Sequence, residues 1–158
     1  MQLYLSKFQI MKQLIVTAII ILQSLFAFAQ EKTVIWTTKA EKINDTEYDL
    51  IIDGAIQPTW NVYSQFLESQ DGPVATTLKF ATDGFEVMGK TEESGHKKEG
   101  FDEMFGMNVA KYSEHVVFKQ KIKLLMKDVK KVGVTINYMS CNNELCLPPK
   151  DEKMWIVL

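Results

Sequence analysis

Two cysteines, Cys141 and Cys146, are the only thiols in this chain of 158 residues, and four residues separate them in Ser140-Cys141-Asn142-Asn143-Glu144-Leu145-Cys146-Leu147-Pro148-Pro149. Thiols this close can form a disulfide, exchange it with another thiol, or offer two soft ligands to a metal. A disulfide that merely staples the fold is the structural alternative. Closing so short a loop is worth about 2 kcal/mol on the loop-entropy estimate, against about 4 to 5 for a loop of about 100 residues. Such a bridge stabilises little, but spacing alone leaves exchange and staple both open.

The redox compartment bears on that choice, and the first thirty residues speak to it. Lys7 and Lys12 precede the apolar run Leu14 to Leu22, and Ala27-Phe28-Ala29 closes the segment before Gln30. A basic start, an apolar centre and an Ala-x-Ala site are the marks of a secretory signal peptide. Residues 1–29 are therefore expected to be removed, with either Met1 or Met11 as the start. An uncleaved anchor is the alternative, but the uncharged stretch 13–30 contains Gln13, Gln23 and Ser24 and is short for a span of about 20 apolar residues. Outside the cytoplasm a cysteine pair can be oxidised and stay so. A disulfide between Cys141 and Cys146 is expected in the exported protein.

The remaining candidates for chemistry are weaker. All 18 basic residues are lysines, set against 20 acids for a net charge of −2, and loss of Lys7 and Lys12 makes the mature chain more acidic. A chain without the planar arginine fork is poorly equipped to read base edges, so no nucleic-acid partner is expected. Gly84 to Thr91 satisfies the phosphate-loop pattern G-x4-G-K-T, yet its middle alternates like a strand and Glu92 to Gly100 offers no apolar helical face to follow it. Nucleotide binding is rejected on that context. His96 and His115 lie far from the cysteines and read as satisfied or solvent-facing residues, too few for zinc. Met104 and Met107 with the two cysteines are a conceivable copper(I) set, although methionine more often fills gaps in a core.

These residues must be positioned by strands. Thr33–Thr37, Tyr48–Ile52, Trp60–Tyr63, Val74–Phe80, Phe85–Met88, His115–Ile122, Val132–Met139 and Met154–Leu158 are short runs rich in β-branched and aromatic residues. Asp53-Gly54, Gln57-Pro58, Asp71-Gly72-Pro73 and Asp83-Gly84 are read as turns between them. Alternation is clearest where Val116, Phe118, Gln120 and Ile122 oppose Val117, Lys119 and Lys121. It recurs where Val132, Val134, Ile136 and Tyr138 oppose Gly133, Thr135 and Asn137. No stretch of the mature chain sustains a helical period, although Lys121 to Lys131 has room for a turn or two. The charged segment Glu92–Gly100 reads as a solvated loop. The expected fold is all-β, an immunoglobulin-like antiparallel sandwich in one domain over residues 30–158. Val132–Met139 delivers the chain to Cys141 as a strand, and Pro148-Pro149 forces an extended exit after Cys146.

Tyr138-x-x-Cys141-x4-Cys146-Leu147-Pro148-Pro149 resembles the active-site segment of the N-terminal periplasmic domain of the thiol–disulfide interchange protein DsbD, the disulfide bond corrector family. Asp53-Gly54 followed by Trp60-Asn61-Val62-Tyr63 is similar to that family's early aromatic strand. Phe101-Asp102-Glu103-Met104-Phe105-Gly106 is similar to the loop that covers its cysteines, and Tyr112 to the start of its next strand. The resemblance spans residues 31–158. This chain has four residues between the cysteines where enterobacterial members have five, and Met104 then Phe105 where they have phenylalanine directly after Asp-Glu. Either residue is thus a candidate for the cover.

The resemblance implies a relay of reducing equivalents, on an immunoglobulin-like domain with no cofactor or metal. A partner's thiolate would attack Cys146, and Cys141 would resolve the mixed disulfide formed when Cys146 passes electrons on. Asp102 or Glu103 is a candidate to move the proton, an exposed unperturbed carboxylate being the alternative for each; Tyr63 is expected to pack on the pair. No helix follows Cys146 and Glu144 adds negative charge, so a standing thiolate is not expected. The family's transmembrane and thioredoxin-like domains have no counterpart in the sequence, so a separate thioredoxin-like or membrane donor is expected, with oxidised periplasmic proteins as acceptors and a monomeric, periplasmic relay between them. A sandwich-fold binding module with an inert disulfide, and a copper carrier, are the rival readings.

Overall fold

Along Val116 to Ile122 the even-numbered residues are buried and Lys119 and Lys121 are exposed, and Val132 to Tyr138 bury every second side chain in the same way. Period two of this kind needs a sheet with one wet face. The computed structural model describes Lys32–Leu158 apart from Gln70 and Thr82; the expected signal peptide, residues 1–29, lies outside the described residues. The eight strands are β1 (Val34–Lys42), β2 (Glu47–Ile56), β3 (Asn61–Tyr63), β4 (Thr77–Phe80), β5 (Phe85–Asp102), β6 (Met107–Leu124), β7 (Lys131–Cys141) and β8 (Cys146–Val157). Among the described residues there is no helix.

All pairings are antiparallel. One half of the sheet runs β1-β2-β6-β5 and the other β4-β7-β8, and short β3 joins them by pairing with both β6 and β7. The sheet thereby curls over one main core. Trp36 of β1 packs on Phe118 of the same half and edge-on against Tyr138 of the other, with centroids 6.1 and 5.2 Å apart. Leu50, Ile52, Val116, Ile122, Val134, Ile136 and Ile156 complete the same apolar cluster. The all-β immunoglobulin-like expectation holds.

Two local expectations are corrected. Glu92–Gly100 is not a loop but the middle of β5, which follows β6 for most of its length with two register shifts. An edge strand is held by backbone hydrogen bonds to one neighbour and needs no apolar side chains, and charge along it discourages edge-to-edge association. Asp53-Gly54 is not a turn but lies inside β2, opposite Thr37 and Trp36. A Cβ on Gly54 would stand 2.5 Å from Cζ3 of Trp36, so the glycine makes room for the indole. Lys121 to Lys131 agrees with the absence of a sustained helical period: β6 ends there, and bends and turns lead to β7 without a helix. The rejected phosphate-loop pattern falls on a turn at Gly84, φ +81°, and then on β5, with no helix after it.

Candidate redox site

Two hairpin tips meet at one end of the domain. The first joins β7 to β8 through Asn142, Asn143, Glu144 and Leu145, and its last strand pair is Cys141 with Cys146. Asn142 shapes this tip by itself. Its Oδ1 accepts hydrogen bonds from the backbone N–H of Glu144 and Leu145 at 2.8 and 2.9 Å, and its own N–H donates to the Leu145 carbonyl at 3.0 Å. An Asx turn of this kind is the standard use of asparagine in tight loops. With the strands closed on either side, the two cysteines face one another 4.1 Å apart at Cα and form a disulfide. The exit prolines sit where β8 places two residues, Pro148 and Pro149, against the single Met139 of β7. A bulge tolerates residues that lack an N–H, so the chain stays extended without a ladder bond there.

The second tip joins β5 to β6 through Glu103, Met104, Phe105 and Gly106, the last of these at φ +64°. Asp102 anchors it. Its side chain is buried, with Oδ1 accepting from the Met104 N–H at 3.1 Å and Oδ2 paired with Lys111 Nζ at 2.7 Å, while its carbonyl accepts from the Gly106 N–H at 2.8 Å. This overturns the reading of Asp102 as an exposed, unengaged carboxylate; Glu103 does lie exposed. Both oxygens of Asp102 are spent on holding the tip.

β3 sets the distance between the tips. Asn61 lies opposite Cys141 on one side, and Tyr63 opposite Lys111 on the other. Tyr63 is buried with Val109, Met139 and Cys141, and Leu67, Phe105, Met107 and Cys146 pack around them in a small apolar cluster separate from the main core. Phe105 meets Tyr63 edge-on at 5.8 Å between centroids. Burial, and secondly the charge on Asp102, push the Tyr63 phenol well above its ordinary range, so it stays neutral.

The disulfide itself is asymmetric. Cys141 is 3% exposed, whereas Cys146 is only partly buried. Met104, 45% exposed, brings its Sδ to 3.2 Å from Cys146 Sγ. A disulfide sulfur has no proton to donate, so this is a sulfur–sulfur contact. Met104 thus touches the bond and Phe105 supports it from the side of Tyr63; the two candidates for the cover occupy different places. Beside them a cleft of about 450 Å³ is lined by Tyr63, Asp102, Glu103, Met104, Lys111 and Cys141, among others.

The structure therefore brings Cys141, Cys146, Asp102, Glu103, Met104, Phe105 and Tyr63 to one end of the molecule. It does not bring the histidines. His115 pairs with Asp53 at 3.0 Å and His96 approaches Glu114 at 3.5 Å, both away from the cysteines. Sequence reading missed Lys111, Asn142, Val109 and Met139. Asn142 carried a usable signal, an asparagine opening a four-residue turn; Lys111 carried none, because its pairing with Asp102 depends on the β5–β6 register.

No family model and no curated protein matches the chain. Solved structures do. The DsbD N-terminal domain of Neisseria meningitidis in its reduced form is similar with a TM-score of 0.53 and 17% identity, over 83% of this chain and 90% of that one. The N-terminal periplasmic domain of ScsB from Proteus mirabilis gives 0.57 and 16%, over 82% of this chain and 48% of that one. A complex of the DsbD N-terminal and PilB N-terminal domains from N. meningitidis gives 0.51 and 16%, over 82% and 87%. The all-β chain that holds Cys141 and Cys146 at the tip of its β7–β8 hairpin thus has the immunoglobulin-like fold of the DsbD N-terminal domain.

Proposed function

We propose that this chain is an exported thiol–disulfide relay that carries reducing equivalents as the Cys141–Cys146 dithiol. The observation that carries the reading is the position of the bond: at the end of the β7–β8 hairpin, with Cys141 buried and Cys146 partly exposed against Met104, on a fold shared with the DsbD N-terminal domain. A bond serving only as a staple gains nothing from such a place. The chemistry needs no cofactor or metal.

In the reductive half, a partner's thiolate displaces Met104 and attacks Cys146 Sγ. The S–S bond breaks, Cys141 leaves as thiolate and takes up a proton, and a mixed disulfide joins Cys146 to the partner. A second partner thiol attacks that bond, releasing Cys146 as a thiol and the partner as a disulfide. In the second half Cys146 attacks an acceptor disulfide, and Cys141 then attacks Cys146, restoring the bond and freeing the reduced acceptor. Cys141 suits the resolving role because its burial hides it from everything except its neighbour. Asp102 acts as a positioning residue for the cap, which leaves exposed Glu103 the better placed of the two carboxylates to exchange protons with solvent.

The donor is a thioredoxin-like or membrane protein and the acceptors are oxidised periplasmic proteins; the DsbD–PilB complex supports a protein partner for domains of this fold. Export rests on removal of residues 1–29, leaving 30–158 as one monomeric redox domain, and the periplasmic ScsB domain supports that address. Equilibration of the full chain in glutathione buffers, with thiols counted by alkylation and mass, tests the reading. A relay is half-reduced within the range of the glutathione couple, whereas a staple remains oxidised to potentials below about −300 mV. With Cys141→Ser, mixed disulfides through Cys146 are expected to accumulate in periplasmic extracts; their absence would count against the relay.

A further inference from the structure

We propose that Met104 is an oxidation site, and that its conversion to the sulfoxide unlocks the Cys141–Cys146 bond to incoming thiols. The inference rests on the relay reading for its purpose, but its chemistry is local. The thioether is the side chain most readily oxidised after a free thiol, and in this protein the thiols are tied up in the disulfide. Met104 is 45% exposed, so a small oxidant reaches it, while Met139 of the same end of the molecule is buried. Its Sδ lies against Cys146 Sγ at 3.2 Å. Among the described residues Met107 is partly buried in the same cluster, but its Sδ lies against Gly72, and Met126 is as exposed as Met104 but lies beside Gly84, on the β6–β7 side of the domain.

The step balances with a peroxide as oxidant. One oxygen passes from the peroxide to Sδ as the O–O bond breaks, giving the sulfoxide and, from hydrogen peroxide, water; the methionine loses two electrons and the disulfide is untouched. The product is a polar, chiral group with an oxygen on the atom that had been in contact with Cys146. That oxygen adds bulk and a demand for hydrogen bonds on the atom packed against Cys146 Sγ, which offers neither room nor a donor, so the side chain shifts toward the water it already meets and comes off the bond. The backbone of the tip stays put, held by Asp102 through the Met104 and Gly106 N–H groups. The consequence is a relay whose disulfide is shielded in ordinary conditions and opened when oxidants reach the compartment.

The test uses the full oxidised chain. It is treated with hydrogen peroxide, the oxidised methionines are mapped by peptide mass, and the rate of reduction of the bond by dithiothreitol is followed. Oxidation at Met104 is expected to accelerate reduction about three- to tenfold, equivalent to about 0.7 to 1.4 kcal/mol off the barrier to attack on Cys146. Met104→Gln, which imitates the polar product, is expected to be fast without peroxide, and Met104→Leu to lose the peroxide response. An unchanged rate in protein oxidised at Met104, or the same acceleration in Met104→Leu, overturns the inference. So does a Met104 that stays unoxidised while Met126 is consumed. The glutathione equilibrium separates the two readings: a bond outside that range removes the relay, while a bond within it whose dithiothreitol rate ignores Met104 removes only the oxidation switch.

Discussion

Lys111 is the least conspicuous residue of the site and the one on which its cap depends. Asp102 is buried at the end of β5, and a carboxylate there is tolerable only because Lys111 Nζ meets it at 2.7 Å and the Met104 N–H meets its other oxygen. Lys111→Met removes the counter-charge and leaves a charged group short of a partner, which costs about 2 kcal/mol. Asp102→Asn in the same chain keeps an acceptor for the Met104 N–H and removes the charge, so the double variant is expected to recover most of the loss in thermal unfolding. Equal destabilisation of single and double variants would mean that the pair does not hold the tip. The pairing also marks how far single residues could be read in advance. Cys141, Cys146, Asp102, Met104 and Phe105 stood in recognisable strings, whereas Lys111 looked like any of the 18 lysines until the pairing of β3 with β6 placed it across from Tyr63 and the β5–β6 hairpin brought it beside Asp102.

At the scale of the element, the β7–β8 hairpin holds the cysteines together whether or not they are bonded. Its strands pair from Lys131 with Val157 up to Cys141 with Cys146, and the Asn142 turn closes the end. The bond therefore closes a loop that the ladder has already closed, and replacing both cysteines by serine is expected to lower stability by about 2 kcal/mol or less, with cooperative unfolding retained in a denaturant titration. Loss of a cooperative transition would return the disulfide to a structural role. This hairpin was legible: alternation marked β7, and the two prolines marked an extended exit with a ladder defect. β5 was not, because an edge strand is defined by its neighbour, and through Glu92 to Gly100 every side chain but the partly buried Glu93 lies exposed. Asp53-Gly54 misled for the opposite reason, since a turn-forming pair was present for the sake of a tryptophan on the adjacent strand.

For the whole molecule, the sequence indicated strands but not their order, and the order is what makes a site. β3, three residues long, belongs to both halves of the sheet, and it carries Tyr63 while pairing with Tyr112 of β6 through Val62. Both phenols are shifted upward. For Tyr63 burial comes first and the charge of Asp102 second; for Tyr112 burial again comes first, followed by the charge and hydrogen bond of Glu93. Glu93 also takes hydrogen bonds from the Ser64 hydroxyl and the Gln65 N–H, so the carboxylate beside Tyr112 is fixed in place. The sign of the resulting pH dependence follows directly. An unfolded chain ionises these phenols near pH 10, while the folded one keeps them neutral to higher pH. Their contribution to stability is complete below about pH 10 and is lost as pH rises from there through the raised folded values. Urea unfolding midpoints are therefore expected to hold to about pH 9.5 and to fall steeply above pH 10, the join between the two halves of the sheet failing with the tyrosines that lie beneath it. Tyr63→Phe removes one of the two groups, and should remove about half of the tyrosine part of that slope. A Tyr63→Phe profile that falls as steeply as the parent's between pH 10 and 11 would show that Tyr63 ionises freely in the folded protein, and that the cluster beneath the disulfide is open to water.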